Sequence, residues 1–292
     1  MKITNLFLIL LALAGCGRSV GDLSVELVAE DTITGGLAAG TGDEDIVDGW
    51  SATFDTYVVV VSDVAIDGGP GPGRRWTDAL AIDLARAGEG GIELTRFDGL
   101  DAGLWSDLGF RTAIAQASTM RHASVREADL ARMVGESCTY LITGAITRDA
   151  ETVAFDLCVP ADTEYRPCES DTGVEGVTIA ASTTTSAQLT LHGDHLFFNG
   201  FPVGAEGSVV RRAQWMADAD ADGDGTVTRA DLESIGGSEL GTLFPSDPGD
   251  GLPGFSLAAT PIPLDTAWDY VRAQLMTQGH FQGEGECVAT PL

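Results

Sequence analysis

From residue 50 to residue 198 the chain is a succession of short β-branched and aromatic runs set between Gly, Pro and Asp, and that punctuation leaves few folds open. The run SATFDTYVVVVSDVAI places Phe54, Val58 and Val60 on alternate positions, the period of a strand. A Gly/Pro loop follows at 67–75. Further short strands are predicted over 23–28, 79–84, 92–97 and 104–114. One or two more fall in 186–198, with Leu189, Leu191, Leu196 and Phe197 as core candidates. One helix interrupts at 125–134, where Ser124 and Glu127 form a capping box and Gly135 is a stop signal. Many short strands with turns between them predict a mainly β fold, an antiparallel β-sandwich. The order of elements excludes a regular βαβ repeat.

Cysteine usage narrows the compartment. Of five cysteines, Cys138, Cys158, Cys168 and Cys287 lie in the body of the chain. An even number suggests two disulfides and an oxidising environment. Three pairings are possible. Cys138 and Cys158 sit at the open ends of two β-like runs around a turn at 148–151, so Cys138–Cys158 is favoured. Cys168–Cys287 would then tie the end of the chain to the sandwich. The spacings match neither a zinc ribbon nor a CxxC redox pair.

The twelve residues 220–231, DADGDGTVTRAD, carry the strongest chemical signal. Ca²⁺ takes six to eight oxygens, and an EF-hand loop offers them from alternate positions. Asp220, Asp222 and Asp224 hold positions 1, 3 and 5, and Gly225 holds the sharp turn at 6. Thr226 offers its carbonyl, Thr228 acts through water, Val227 points to a core, and Asp231 closes the loop. A frame starting at Asp218 would end on Arg229, a cation, and fails. Residues 209–219 are predicted as the entering helix; Thr228 with Asp231 caps the exit helix, which ends at Gly236-Gly237. A last helix, capped by Asp265, aligns Trp268, Val271 and Leu275 and stops at Gly279.

At the start, Lys2, an apolar run at 6–13 and Leu13-Ala14-Gly15-Cys16 have the layout of an export signal ending in a lipobox. This resembles bacterial lipoproteins, which implies cleavage before Cys16 and acylation of its thiol. Gly17 follows the cysteine in place of an inner-membrane-retaining Asp, so an outer-membrane anchor is expected. The loop at 220–231 resembles dockerin-type loops in ending with Asp. The stretches VVVVSDVAI, RRWTDALAIDL and YLITGAITRDAETVAFDL resemble, in order, bacterial lipoproteins with a transthyretin-like sandwich; that likeness implies a fold and no activity.

The expected organisation is a signal peptide at 1–15, a lipid-anchored tether with a first strand at 16–47, the sandwich at 48–203, and the EF-hand segment with the last helix packed on it at 204–292. An apolar content of 44% argues for a real core. The formal charge is −28 and Lys2 is the sole lysine. Such a surface repels nucleic acid, whose binding rests on cations that neutralise phosphates, and favours divalent cations.

Histidine supplies a second metal reading. His192, Asp194 and His195 fall within LHGDHLFFNG, and His280 lies in GHFQGEGEC near Glu284. On a strand, His192 and His195 would face opposite sides; a turn at Gly193-Asp194 could unite them. If Cys168–Cys287 docks the tail, His280 reaches the same place, and imidazoles with a carboxylate suit Zn²⁺ or Cu²⁺. His122 stands alone before a helix and reads as structural. There is no HExxH helix, no GxSxG elbow between a strand and a helix, no GxGxxG after a strand and no P-loop. Three functions follow: a lipid-anchored calcium-binding protein with a structural or docking role, a periplasmic Zn²⁺ or Cu²⁺ binder, and a surface hydrolase, which no residue pattern supports. A protein or polysaccharide partner is not specified by the sequence.

Overall fold

The computed structural model describes residues 18–88, 90–201 and 209–292. Cys16 and the export signal lie outside the described residues. The first half of the chain forms β1 (Val20–Ala29), α1 (Asp31–Thr34), β2 (Ser51–Asp67), β3 (Arg74–Asp83), β4 (Ile92–Asp101), β5 (Gly103–Trp105), β6 (Asp107–Thr112), β7 (Met120–Arg121) and α2 (Glu127–Glu136). The second half forms β8 (Tyr140–Arg148), β9 (Glu151–Val159), β10 (Thr163–Cys168), β11 (Val177–Ile179), β12 (Thr184–Leu191), α3 (Gln214–Asp218), β13 (Thr226–Thr228), α4 (Arg229–Ser234), α5 (Leu240–Leu243), α6 (Ala267–Leu275), β14 (Gly279–Phe281) and β15 (Gly285–Pro291).

The fold is mainly β, as expected. Thirteen of the described strands join into one large curled sheet in the order β13-β9-β8-β2-β6-β10-β15-β14-β12-β1-β4, with β3 and β7 branching from β2, and β5 pairs with β11 in a separate two-stranded sheet. Most pairings are antiparallel, but β1 with β12, β13 with β9 and β3 with β7 are parallel. The valine run explains why β2 organises the sheet. Tyr57, Val59 and Val61 face the main core, while Val58 and Val60 face a smaller cluster with Met133, Cys138, Leu141 and Cys158 beneath α2. A strand covered on both faces reads as a continuous apolar run.

Both expected disulfides are present. Cys138–Cys158 lies in the cluster beneath α2, and Cys168–Cys287 joins opposite residues of β10 and β15. They fit an oxidising compartment outside the cytoplasm. No helix among the described residues is long and apolar enough to cross a membrane.

Several local expectations are corrected. Ser124 does not cap α2; its hydroxyl accepts the Asp83 N–H at 3.0 Å, and Arg126 occupies the N-cap. That helix runs past Gly135 and ends on Ser137, at φ +56°. The strand expected at 104–114 breaks at Ser106 into β5 and β6. The entering helix expected at 209–219 shrinks to α3, because residues 210–212 run extended beside 197–199: Arg212 N–H donates to Phe197 O at 2.7 Å and Asn199 N–H to Val210 O at 2.9 Å. Asp48 then accepts the N–H groups of Ala213 and Gln214, both at 3.0 Å. Thr266, not Asp265, caps α6 in a capping box with Asp269. Gly279 opens β14 instead of merely stopping that helix.

Candidate metal sites

The loop at 220–231 folds around its own carboxylates. Asp220 accepts the N–H of Gly223 at 3.1 Å through Oδ1 and of Gly225 at 2.9 Å through Oδ2. Asp222 accepts the Asp224 N–H and Asp224 the Thr226 N–H. Gly225 sits at φ +85°, a conformation that side chains resist. Asp231 Oδ2 accepts from Thr228 N (2.9 Å) and Thr228 Oγ (2.6 Å), closing the capping box of α4. Carboxylate oxygens of Asp220, Asp222 and Asp231 lie within 4.8 Å of one another. Asp224 is exposed and not among them. Thr226 and Thr228 end the short strand β13, which pairs with β9 from Ala154 to Asp156, and Val227 between them is fully buried. The loop is thereby a rim strand of the sheet.

The histidines are brought together by a change of backbone period. β12 stops at Leu191, and Gly193–Phe197 is a 3₁₀ turn. Three residues per turn stack positions i and i+3, so His192 and His195 come to one side. Gly193 allows this turn to close on α1, since a Cβ there would meet Ile33 Cγ1 at 2.6 Å. His280 arrives from the middle of β14, opposite Thr190 of β12 on one flank and Glu286 of β15 on the other. The ring centroids of His192 and His280 are 4.0 Å apart, those of His195 and His280 5.3 Å, and those of His192 and His195 5.8 Å. One nitrogen from each of the three lies within 4.8 Å of the others, and all three residues are buried.

Neighbouring groups set the orientation of these rings. Thr277 Oγ donates to the Gln274 carbonyl at 2.8 Å, so it accepts from His195 Nδ1, also at 2.8 Å. His192 Nε2 lies 2.7 Å from Glu30 Oε1, at the end of β1. Burial pushes the Glu30 carboxyl up from the ordinary range, and its contact with His192 only partly offsets this. Glu284 joins Glu30 and His192 in a second group of potential ligands.

Asp194, read from the sequence as part of the histidine group, turns elsewhere. Its Oδ2 accepts Arg211 Nε at 2.8 Å, and Arg211 lies over Phe198, whose ring also packs on His195. Asp194 therefore holds the strap of residues 210–212 against the turn. Glu30 was not legible as a site residue, because nothing in the β-like run before it marks its end as chemical. His122 holds Ser124 through Nδ1 at 2.9 Å, a structural role.

The chemistry of both sites suits a cation: buried His, Glu and Asp groups converge in positions that could hold a metal ion. Comparison of the chain with family models, with curated proteins and with solved structures gives no match.

Proposed function

We propose that this chain is a calcium-binding protein of the cell envelope, anchored at the outer membrane through acylated Cys16, in which Ca²⁺ holds residues 209–292 in place on the sheet. The observation that carries the reading is the convergence of Asp220, Asp222 and Asp231 in a loop that is itself a strand of the sheet. Three carboxylates this close repel one another unless a cation lies among them. The role is structural or docking: the loop's strand partner is β9, and both flanking helices are short, α3 with five residues and α4 with six. A short helix pair tied to a sheet has little scope to open a groove.

Extracellular calcium modules bind at ~10⁻⁴–10⁻³ M. At tenfold excess of Ca²⁺ over its Kd, the bound ion adds about 1.4 kcal/mol of stability. Calorimetric titration of the chelator-stripped protein tests the reading, with Asp220→Ala as control. Heat of binding and a Ca²⁺-dependent rise in Tm are expected for the native sequence and not for the variant. Silence from the native sequence in millimolar Ca²⁺ removes the proposal.

A further inference from the structure

The geometry points to a second, separate metal centre: His192, His195 and His280 together with Glu30 form a buried site for an imidazole-seeking divalent ion, Zn²⁺ or Cu²⁺.

The ligand count and type come first. Zn²⁺ in a closed site takes four N, S or O ligands at about 2.0–2.2 Å, which puts neighbouring ligand atoms about 3.3 Å apart. The three imidazole nitrogens already lie within 4.8 Å of one another, so small side-chain rotations complete the contraction. Glu30 Oε1 sits 2.7 Å from His192 Nε2 and shares the adjoining group with His192 and Glu284, so it is the carboxylate that would move in as the anionic fourth ligand. In the metal-free form this contact is a hydrogen bond from the His192 ring to the carboxylate, and a bound ion would take the place of that proton. Three neutral imidazoles and one carboxylate leave a net charge of +1 on the filled site, which is easier to bury than the bare ion.

The support around the ligands is also that of a metal centre. A ligating histidine ordinarily gives its other ring N–H to a fixed acceptor, and Thr277 provides this for His195. The four residues come from the end of β1, the 3₁₀ turn after β12, and β14, three adjoining pieces of the sheet. His280 is held in register by β15, which Cys168–Cys287 fastens to β10.

An access route exists. A cavity of about 340 Å³ is lined by Glu30, Asp31, Glu44, Gln188, Thr190 and Glu284, so Glu30 faces both the histidines and an acid-lined mouth. A cation drawn to that mouth meets Glu30 before the buried rings. With all four positions taken by protein the site has no open place for substrate, which favours holding an ion over hydrolysis. None of these residues belongs to the calcium loop, and the inference does not depend on it.

The test uses the full chain, stripped with chelator and held in excess Ca²⁺ so that the loop is saturated. Zn²⁺ and Cu²⁺ are titrated separately against a chromophoric competitor. One equivalent of at least one of them is expected to bind with a Kd of about 1 µM or below. Loss of a ligating histidine's hydrogen-bond support alone costs about 10–100-fold, so His192→Gln and His280→Gln should each weaken binding by at least ~100-fold. Asp220→Asn should leave it unchanged. Circular dichroism checks that the variants fold. Should they not, the nitrogen hyperfine pattern of Cu²⁺, or X-ray absorption of Zn²⁺, on the native sequence must show histidine ligation. Binding no tighter than ~0.1 mM for both ions, undiminished binding in the folded histidine variants, or a spectrum without imidazole nitrogen overturns the inference.

Discussion

At the scale of single residues, Asp231 does two things with one carboxylate. One oxygen caps α4 through Thr228, and only the other remains for an ion. Glutamate at this helix position serves a capping box equally well and is long enough to bind Ca²⁺ through both oxygens. Asp231→Glu is therefore expected to tighten Ca²⁺ binding by roughly an order of magnitude, read by calorimetric titration. Asp83 makes a second case. It is fully buried, accepts the Tyr57 N–H at 3.0 Å, and has Arg86 at 3.3 Å. Burial raises its carboxyl above the ordinary range. Below pH ~3.9 the folded and unfolded forms are both protonated and nothing is lost. As pH rises from there to the raised folded value, the unfolded chain ionises first and stability falls. Asp83→Asn keeps an acceptor for Tyr57 and cannot ionise. Its Tm, measured from pH 3.5 upward, should gain on that of the native sequence through this window and then run parallel. The aspartates of the calcium loop were legible because ligand spacing there is local in sequence. Asp194 and Glu30 were not: whether a carboxylate faces Arg211 or His192 is decided by strands far away in the chain.

At the scale of elements, the strands were legible wherever one face is buried, and the helices less so. The segment 209–219 has helical composition, yet three of its residues pair with 197–199, and tertiary hydrogen bonds override local propensity. The 3₁₀ turn after β12 was hidden in an apolar run that reads as strand, and that turn is what unites His192 with His195. In α6 the cap lies one residue beyond its expected place: Thr266 Oγ and Asp269 close the box at 3.0 Å. Six of the nine residues that follow the cap are apolar or aromatic and buried, among them Trp268, Tyr270, Val271 and Leu275. Thr266→Ala should lower stability by about 1 kcal/mol, seen as a shift in the urea midpoint with unchanged slope.

For the whole molecule, the two disulfides differ in what they enclose. Cys138–Cys158 closes 20 residues and Cys168–Cys287 closes 119. By loop entropy the longer closure restricts the unfolded chain more, by about 1.6 kcal/mol. Replacing Cys168 and Cys287 with Ser should thus cost more stability than replacing Cys138 and Cys158, measured by chemical denaturation of the two double variants. The pairing itself was legible, since a hairpin brings Cys138 to Cys158 and leaves one partner for Cys168. The parallel contacts of β1 with β12 and of β13 with β9 were not, because pairing between distant strands leaves no mark in either one.

Strands β14 and β15 stand between β10 and β12, so they join the run from β13 to β10 to the run from β12 to β4. They are a keystone translated after every strand they connect. A polypeptide interrupted between residues 191 and 279 would present the rims of β10 and β12 bare, each a template for foreign strands. Such interrupted copies should clump or fall to proteases more readily than the full chain.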